Sequence, residues 1–314
     1  MKKLTILLFI SFAFSDVYSQ NYINSIDHIF QTHRTARPFY FTTEGVERET
    51  LFRALTKHIQ GAAYSDGYFY LVRNRPQNRN NQQLIIIDEE KAMVVSYLTL
   101  DPDYSHPGGI QIYDNILAVP FTNRGKNAKL NFYSLENPIE PVLIGSYLSD
   151  SQSALCVGII SYGNNYLVAR YYGRKAIKFY HFDKSFNKVA EQVWIADNQD
   201  KSEWQPFGKW QDFGQRYENM NLVQVRENSL SKPQYYLLMF HNNPEAIDVF
   251  SLSEPDLVSE IDIRMIARIL LTPQRRGFRM GGGMRIINEE TVEFFSTDRH
   301  IQRRSMMNMY PPLP

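Results

Sequence analysis

Five short runs of small residues recur along the chain, and each is followed by a turn and then by a β-branched or aromatic segment. The runs are His58-Ile59-Gln60-Gly61-Ala62, His106-Pro107-Gly108-Gly109-Ile110, Leu155-Cys156-Val157-Gly158-Ile159, Glu218-Asn219-Met220-Asn221-Leu222 and Met280-Gly281-Gly282-Gly283-Met284. Aligned on Gly61, Gly109, Gly158, Asn221 and Gly283, they stand 48, 49, 63 and 62 residues apart. The segments beyond the turns begin at Gly67, Ile116, Tyr166, Tyr235 and Thr291, behind turn formers such as Ser65-Asp66-Gly67 and Gly163-Asn164-Asn165. These are hairpin signals. Third strands are expected within residues 84–88, 130–134, 177–181 and 247–251, and fourth strands within 93–98, 142–147, 189–195 and 257–263.

Four strands per repeat at a period near 50 residues is the pattern of β-propeller blades. Small residues in each first strand suit the innermost position, where blades crowd around an axis. The reading is an all-β fold, a β-propeller of five four-stranded blades. The last repeat runs out after its third strand, within 302–310. Its fourth strand is expected from the N-terminal side, within 39–55, so that the ring closes and leaves no free edge there. Residues 46–57 also carry spacing compatible with a short helix. A β-sandwich with coincidental spacing is the competing architecture. The stretch 198–215, with Trp204, Pro206 and Trp210, reads as an inserted loop and not as a domain boundary.

Residues 1–19 read as a secretory leader: Lys2 and Lys3 precede an apolar run over residues 4–14, and Val17 and Ser19 provide small side chains before a cleavage site. The run is too short for a membrane span, which needs roughly 20 apolar residues. Residues 20–314 then form a single domain, secreted or periplasmic. With 34 Lys+Arg against 33 Asp+Glu, the chain lacks the basic excess that phosphate contacts demand, which argues against nucleic acid as a partner. The single cysteine, Cys156, excludes an internal disulfide and a cysteine-based zinc site.

The motifs His58-Ile59-Gln60-Gly61 and His106-Pro107-Gly108-Gly109 resemble the blade-opening segments of bacterial secreted β-propellers, several families of which have no assigned activity. The resemblance implies a fold and no reaction. The later repeats carry Leu155, Glu218 and Met280 where histidine would align.

In an up-and-down blade, the loop between strands 2 and 3 and the link into the next blade lie on the same face. Residues expected there are His58, Gln60, Arg73, His106, Arg124, Arg170, His241, Arg279 and His300. Convergent guanidinium and imidazole groups suit an anionic ligand, since arginine offers a fork to carboxylate, phosphate or sulfate. The partner would be an anionic small molecule, a glycan or an acidic protein segment; solvated loop arginines are the plainer account. A hydrolase acting on a phosphate ester or glycan at the same face is the alternative, with His58 and His106 as acid/base or metal groups; the carboxylates there, Asp101, Asp103, Glu218 and Asp298, are fewer than a sugar cleft calls for. A structural interaction scaffold is the third. His58, His106 and His241 are also weighed as metal ligands, although only the propeller would unite them, and the site prediction includes no metal. No Gly-x-Ser-x-Gly occurs, Cys156 reads as a core residue, Gly281-Gly282-Gly283 lacks the helix a phosphate loop needs, and no pattern specifies a cofactor.

Overall fold

A computed structural model describes residues 22–32, 34–42, 58–74, 83–104, 106–122, 127–149, 154–171, 176–195, 217–228, 231–242, 245–255, 261–273, 281–297 and 304–313. The leader, the 198–215 insert and the helix alternative over 46–57 lie outside the described residues. The chain opens with β1 (Tyr22–Ile23), a single helical turn α1 (Asp27–Phe30) and β2 (Arg37–Thr42). Four antiparallel strands follow, β3 (Ile59–Ser65), β4 (Tyr68–Arg73), β5 (Gln83–Asp88) and β6 (Met93–Thr99). The next unit has a divided first strand, β7 (His106–Pro107) and β8 (Gln111–Tyr113), both paired with β9 (Ile116–Thr122), then β10 (Lys129–Ser134) and β11 (Val142–Leu148). A third comprises β12 (Cys156–Tyr162), β13 (Asn165–Tyr171), β14 (Ala176–Phe182) and β15 (Lys188–Ile195). A fourth comprises β16 (Tyr217–Val225), β17 (Gln234–Asn242), β18 (Glu245–Leu252) and β19 (Ile263–Leu270). The chain ends with β20 (Gly282–Asn288), β21 (Thr291–Thr297) and β22 (Arg304–Tyr310).

The missing fourth strand of the last unit is β2, which pairs antiparallel with β22 from Arg37↔Met309 to Thr42↔Arg304. Closure by an N-terminal strand was the sequence expectation; the strand starts two residues earlier than the expected window. The parallel bridge Thr42↔Met93 joins this unit to β6, so the two four-stranded runs form one eight-stranded sheet. One fourth strand departs from expectation: β19 lies at Ile263–Leu270, not within 257–263. Ser253 and Asp262 hold the connection closed at its base, Ser253 N–H donating to the Asp262 carbonyl at 2.9 Å and Asp262 N–H to Ser253 Oγ at 2.8 Å. The strand therefore starts only after Asp262.

The first strands β3, β8, β12, β16 and β20 neighbour one another in that order, and β20 returns to β3. Sheets radiating from such a ring form a β-propeller. Its apolar core is a set of wedges between adjacent sheets: Tyr70 and Val72 meet Val119 and Phe121, Phe132 meets Phe182, and Phe240 meets Phe294. No helix among the described residues is long and apolar enough to cross a membrane.

Close approach at the axis explains the glycines. A Cβ on Gly109 would lie 2.3 Å from the Glu218 carbonyl oxygen, and one on Gly108 2.0 Å from that of Leu155. Backbone meets backbone there: Gly109 N–H donates to the Leu155 carbonyl at 2.9 Å, and Val157 N–H to the Gly109 carbonyl at 3.0 Å. Two residues on, the buried side chain of Gln111 ties three sheets together. Its Oε1 accepts from Ile159 N–H at 2.9 Å and Leu222 N–H at 2.8 Å, while Nε2 donates to the Leu222 carbonyl at 2.8 Å.

At the seam between the last unit and β3–β6, Arg285 is the joint. Its guanidinium bonds Glu89 at 2.7 Å and Glu293 at 2.5 Å, and lies over the Tyr64 ring, 4.7 Å from its centroid. Tyr64 Oη completes the group by donating to Glu89 at 2.7 Å. The N-terminal segment crosses the same end of the ring, where β1 pairs parallel with β16 and Tyr22 Oη donates to Glu289.

Candidate site at the axial mouth

Second strands end, and the next first strands begin, at one end of the propeller. Asn74 N–H donates to the His58 carbonyl, His106 pairs with Thr122, Leu155 N–H donates to the Tyr171 carbonyl, and Tyr217 pairs with His241. Backbone pairing alone therefore gathers His58, Asn74, His106, Glu218 and His241 at this end.

His58 and His106 meet across the gap between two blades, with ring centroids 6.4 Å apart and planes inclined at 59°. Asn74 Nδ2 stands 3.2 Å from His106 Nδ1. Both histidines and Asn74 are half-buried. Burial lowers the His106 pKa, so the ring is neutral near pH 7 and offers one donor and one acceptor. Glu218 is also half-buried, close enough to Cys156 and Tyr171 that its charge acts on both. Burial is the larger influence on Cys156, pushing its thiol well up, and the thiol is shut inside the core as the sequence led us to expect.

The other expected site residues fall elsewhere. The sequence reading put Arg73 and Arg170 in loops, but both belong to the ladder, opposite Gln83 and Lys178 respectively. Strand alternation turns them into the wedges between sheets. Arg73 bonds Gln83 and lies over the Tyr97 ring; Arg170 is fully buried over Tyr180. Gln60 is buried in β3. His241 packs edge-on against Tyr217, with centroids 5.6 Å apart. Tyr217 Oη donates to Asp248, which also accepts two bonds from Arg268 at 2.6 and 2.7 Å. Arg124, Arg279 and His300 lie outside the described residues.

Of the carboxylates considered for hydrolysis, Asp101 is tied to Lys129 at 2.6 Å and accepts from Asn131 and from Asp103 N–H. Burial pushes its pKa up, but these donors outweigh that and hold it below the usual range. Asp103 lies beside it in the link into β7, and Asp298 is outside the described residues. Among the described residues, no group of three or more His, Cys, Asp and Glu side chains comes together to hold a metal. His58 and His106 meet; His241 does not complete a trio.

Two residues at the axis were not singled out from sequence as site residues. Asn219, fully buried in β16, lies against Gly109, and among the described residues neither atom of its amide has a hydrogen-bond partner; Asn221 Oδ1 is likewise without one there. The available signal was asparagine at two alternate positions of a strand whose counterparts carry glycine or apolar residues.

No protein-family model matches the chain, and no curated protein matches it in sequence. Similarity appears in the fold. The catalytic domain of the Coprinopsis cinerea GH62 α-L-arabinofuranosidase superposes with a TM-score of 0.51 at 11% identity, covering 90% of this chain and 96% of that one. A GH43 β-xylosidase/α-arabinofuranosidase from a compost microbial metagenome gives 0.47 at 10% identity, covering 81% and 90%. A Bacteroides caccae protein of unknown function gives 0.35 at 9%, covering 77% of this chain and 65% of that one, just under two thirds of its length. At these identities the likeness is one of fold, carried by the first of the three.

Proposed function

We propose that the protein is an exported five-bladed propeller that binds a glycan at this axial mouth. Five four-stranded runs around one ring support the blade number. The observation that carries the ligand class is the His58–His106–Asn74 group. It is a half-buried set of polar groups able to donate and accept hydrogen bonds, which is what a ring of hydroxyls needs. Asn219 and Asn221 add polar groups beneath it. Arg73 and Arg170, held inside the blades, do not supply a counter-charge for an acidic sugar at this mouth. That a GH62 arabinofuranosidase shares the fold is consistent with a sugar ligand and does not identify one.

Glu218 favours a second reading, hydrolysis at the same mouth. Glycoside cleavage needs a pair of carboxyl groups about 5–9 Å apart. Asp101, one of the carboxylates weighed for that pair, is engaged with Lys129, and binding without turnover takes precedence.

Calorimetric titration against a panel of neutral and acidic oligosaccharides tests this. A panel member should bind, and His106→Ala should weaken it at least about tenfold, or ~1.4 kcal/mol, with an unchanged melting temperature. Affinity should be flat from pH 7 to 8, because burial holds the His106 pKa below its ordinary value. A panel without a binder, or a His106→Ala protein that binds as well, would overturn the reading. Release of reducing sugar by the wild type, abolished in Glu218→Gln, would replace binding with hydrolysis.

A further inference from the structure

We infer that β11, the outermost strand of its sheet, is a self-pairing edge through which two copies of this chain associate by strand addition. Outer strands expose unpaired N–H and C=O groups, and proteins guard them with charge, proline or cover. The other outer strands are guarded. β15 carries Lys188 and Glu191, β19 carries Arg264 and Arg268, and β2 carries Arg37 and Pro38. β6 has no charge, but none of its large apolar side chains is exposed, and it meets β2 at Met93.

Among the described residues, β11 has neither protection. Its sequence, Val-Leu-Ile-Gly-Ser-Tyr-Leu, contains no charged residue, and Val142, Leu143, Ile144 and Leu148 are 62%, 50%, 43% and 59% exposed. Side chains from both faces of the strand are among them, so a cover lying on one face would leave the other wet. The bulge opposite Phe132 and Tyr133 does not distinguish it, because β6, β15 and β19 are bulged at the same boundary.

A second copy is the occupant that the sequence fits. Antiparallel pairing about a two-fold axis at Gly145 sets Val142 opposite Leu148 and Leu143 opposite Tyr147. Apart from Ile144, which falls opposite Ser146, apolar groups then meet apolar groups, and no like charges face each other. Gly145 itself is held small from within, since a Cβ there would come 2.7 Å from the Phe186 ring. The two sheets would join into one continuous sheet across the dimer. Seven residues span only about 24 Å, a small footprint beside a standard interface of roughly 800 Å² per partner. The association is therefore weak and concentration-dependent.

Sedimentation velocity on the purified chain, from about 1 to 200 µM, tests it. Dimer should appear at tens of micromolar. Leu143→Lys, at an exposed position, should return the protein to monomer with its melting temperature unchanged. Leu270→Lys, at an equally exposed position on β19, should leave the dimer intact. A protein that stays monomeric throughout, or a dimer indifferent to Leu143→Lys or lost in Leu270→Lys, would overturn the inference.

Discussion

Gln111→Leu is expected to destabilise the protein by about 3–5 kcal/mol, a large part of the 5–15 kcal/mol typical of a folded domain. The side chain is buried, and its loss orphans three backbone groups at once: Ile159 N–H, Leu222 N–H and the Leu222 carbonyl. Each belongs to the inner edge of a first strand, where no neighbouring strand supplies a ladder and the glycine-narrowed axis keeps other side chains at a distance. Leucine has nearly the volume of glutamine, so the effect isolates hydrogen bonding from packing. Gln111→Glu sharpens the comparison. It keeps an acceptor for both N–H groups but turns an anion toward the Leu222 carbonyl, so it should recover stability as pH falls and its carboxyl takes up a proton. Urea unfolding of the three proteins at pH 5 and 7.5 measures this. A Gln111→Leu midpoint equal to the wild type would show that the sheets need no such tie.

Arg285→Ala should cost about 3 kcal/mol and lower the melting temperature by roughly 5–10 °C. The arginine joins the last unit to the first through Glu89 and Glu293, and its plane covers Tyr64. Removing it leaves Glu293 buried without its counter-ion, and that is the costly part. The pH dependence follows from Glu293. Burial raises its pKa, and Arg285 opposes the rise. A carboxyl raised in the folded state contributes stability below its unfolded value, and that contribution is lost as pH rises through the folded value. Taking away Arg285 pushes the folded value higher still, so the deficit of the variant should be larger at pH 8 than at pH 5. Glu293→Gln added to Arg285→Ala should restore part of the loss and remove the pH dependence. A deficit that is the same at both pH values would assign the effect to lost contact with Tyr64 instead.

The architecture was legible because its strongest constraint is written in residue size. Where one backbone passes within van der Waals reach of the next, only glycine fits, and Gly61, Gly109, Gly158 and Gly283 marked the ring before any contact was known. The closing strand was legible for a related reason: a last repeat that stops one strand short needs another source for it. The face was read less well. Arg73 and Arg170 follow apolar runs, and the reading ended the strands just before them. One more residue of ladder turns each side chain from the mouth into a wedge, a difference of register that composition does not reveal. Gln111 and Arg285 escaped notice because their partners lie in other repeats, Leu222 in one case and Glu89 in the other. Nothing local distinguishes a polar residue that bridges repeats from one that faces water. His58 and His106 stood out only because the same type recurred at the same place in two successive repeats.

The pairing of β2 with β22 also has a consequence for how the chain comes to be folded. Arg37 and Met309 lie 272 residues apart in the sequence, yet they are neighbours in one ladder. Each inner unit can assemble as it emerges from the ribosome, since its strands are consecutive. The unit of β20, β21 and β22 cannot, because the strand that completes it, β2, is made long before the other three. Until β22 is made, β2 lacks that partner and carries Phe39 and Phe41 at risk of mispairing, and the step that seats it joins residues far apart in sequence. Such non-local steps are slow. A ring that cannot lock until β22 has been made stays open through the synthesis of every unit between β2 and β22.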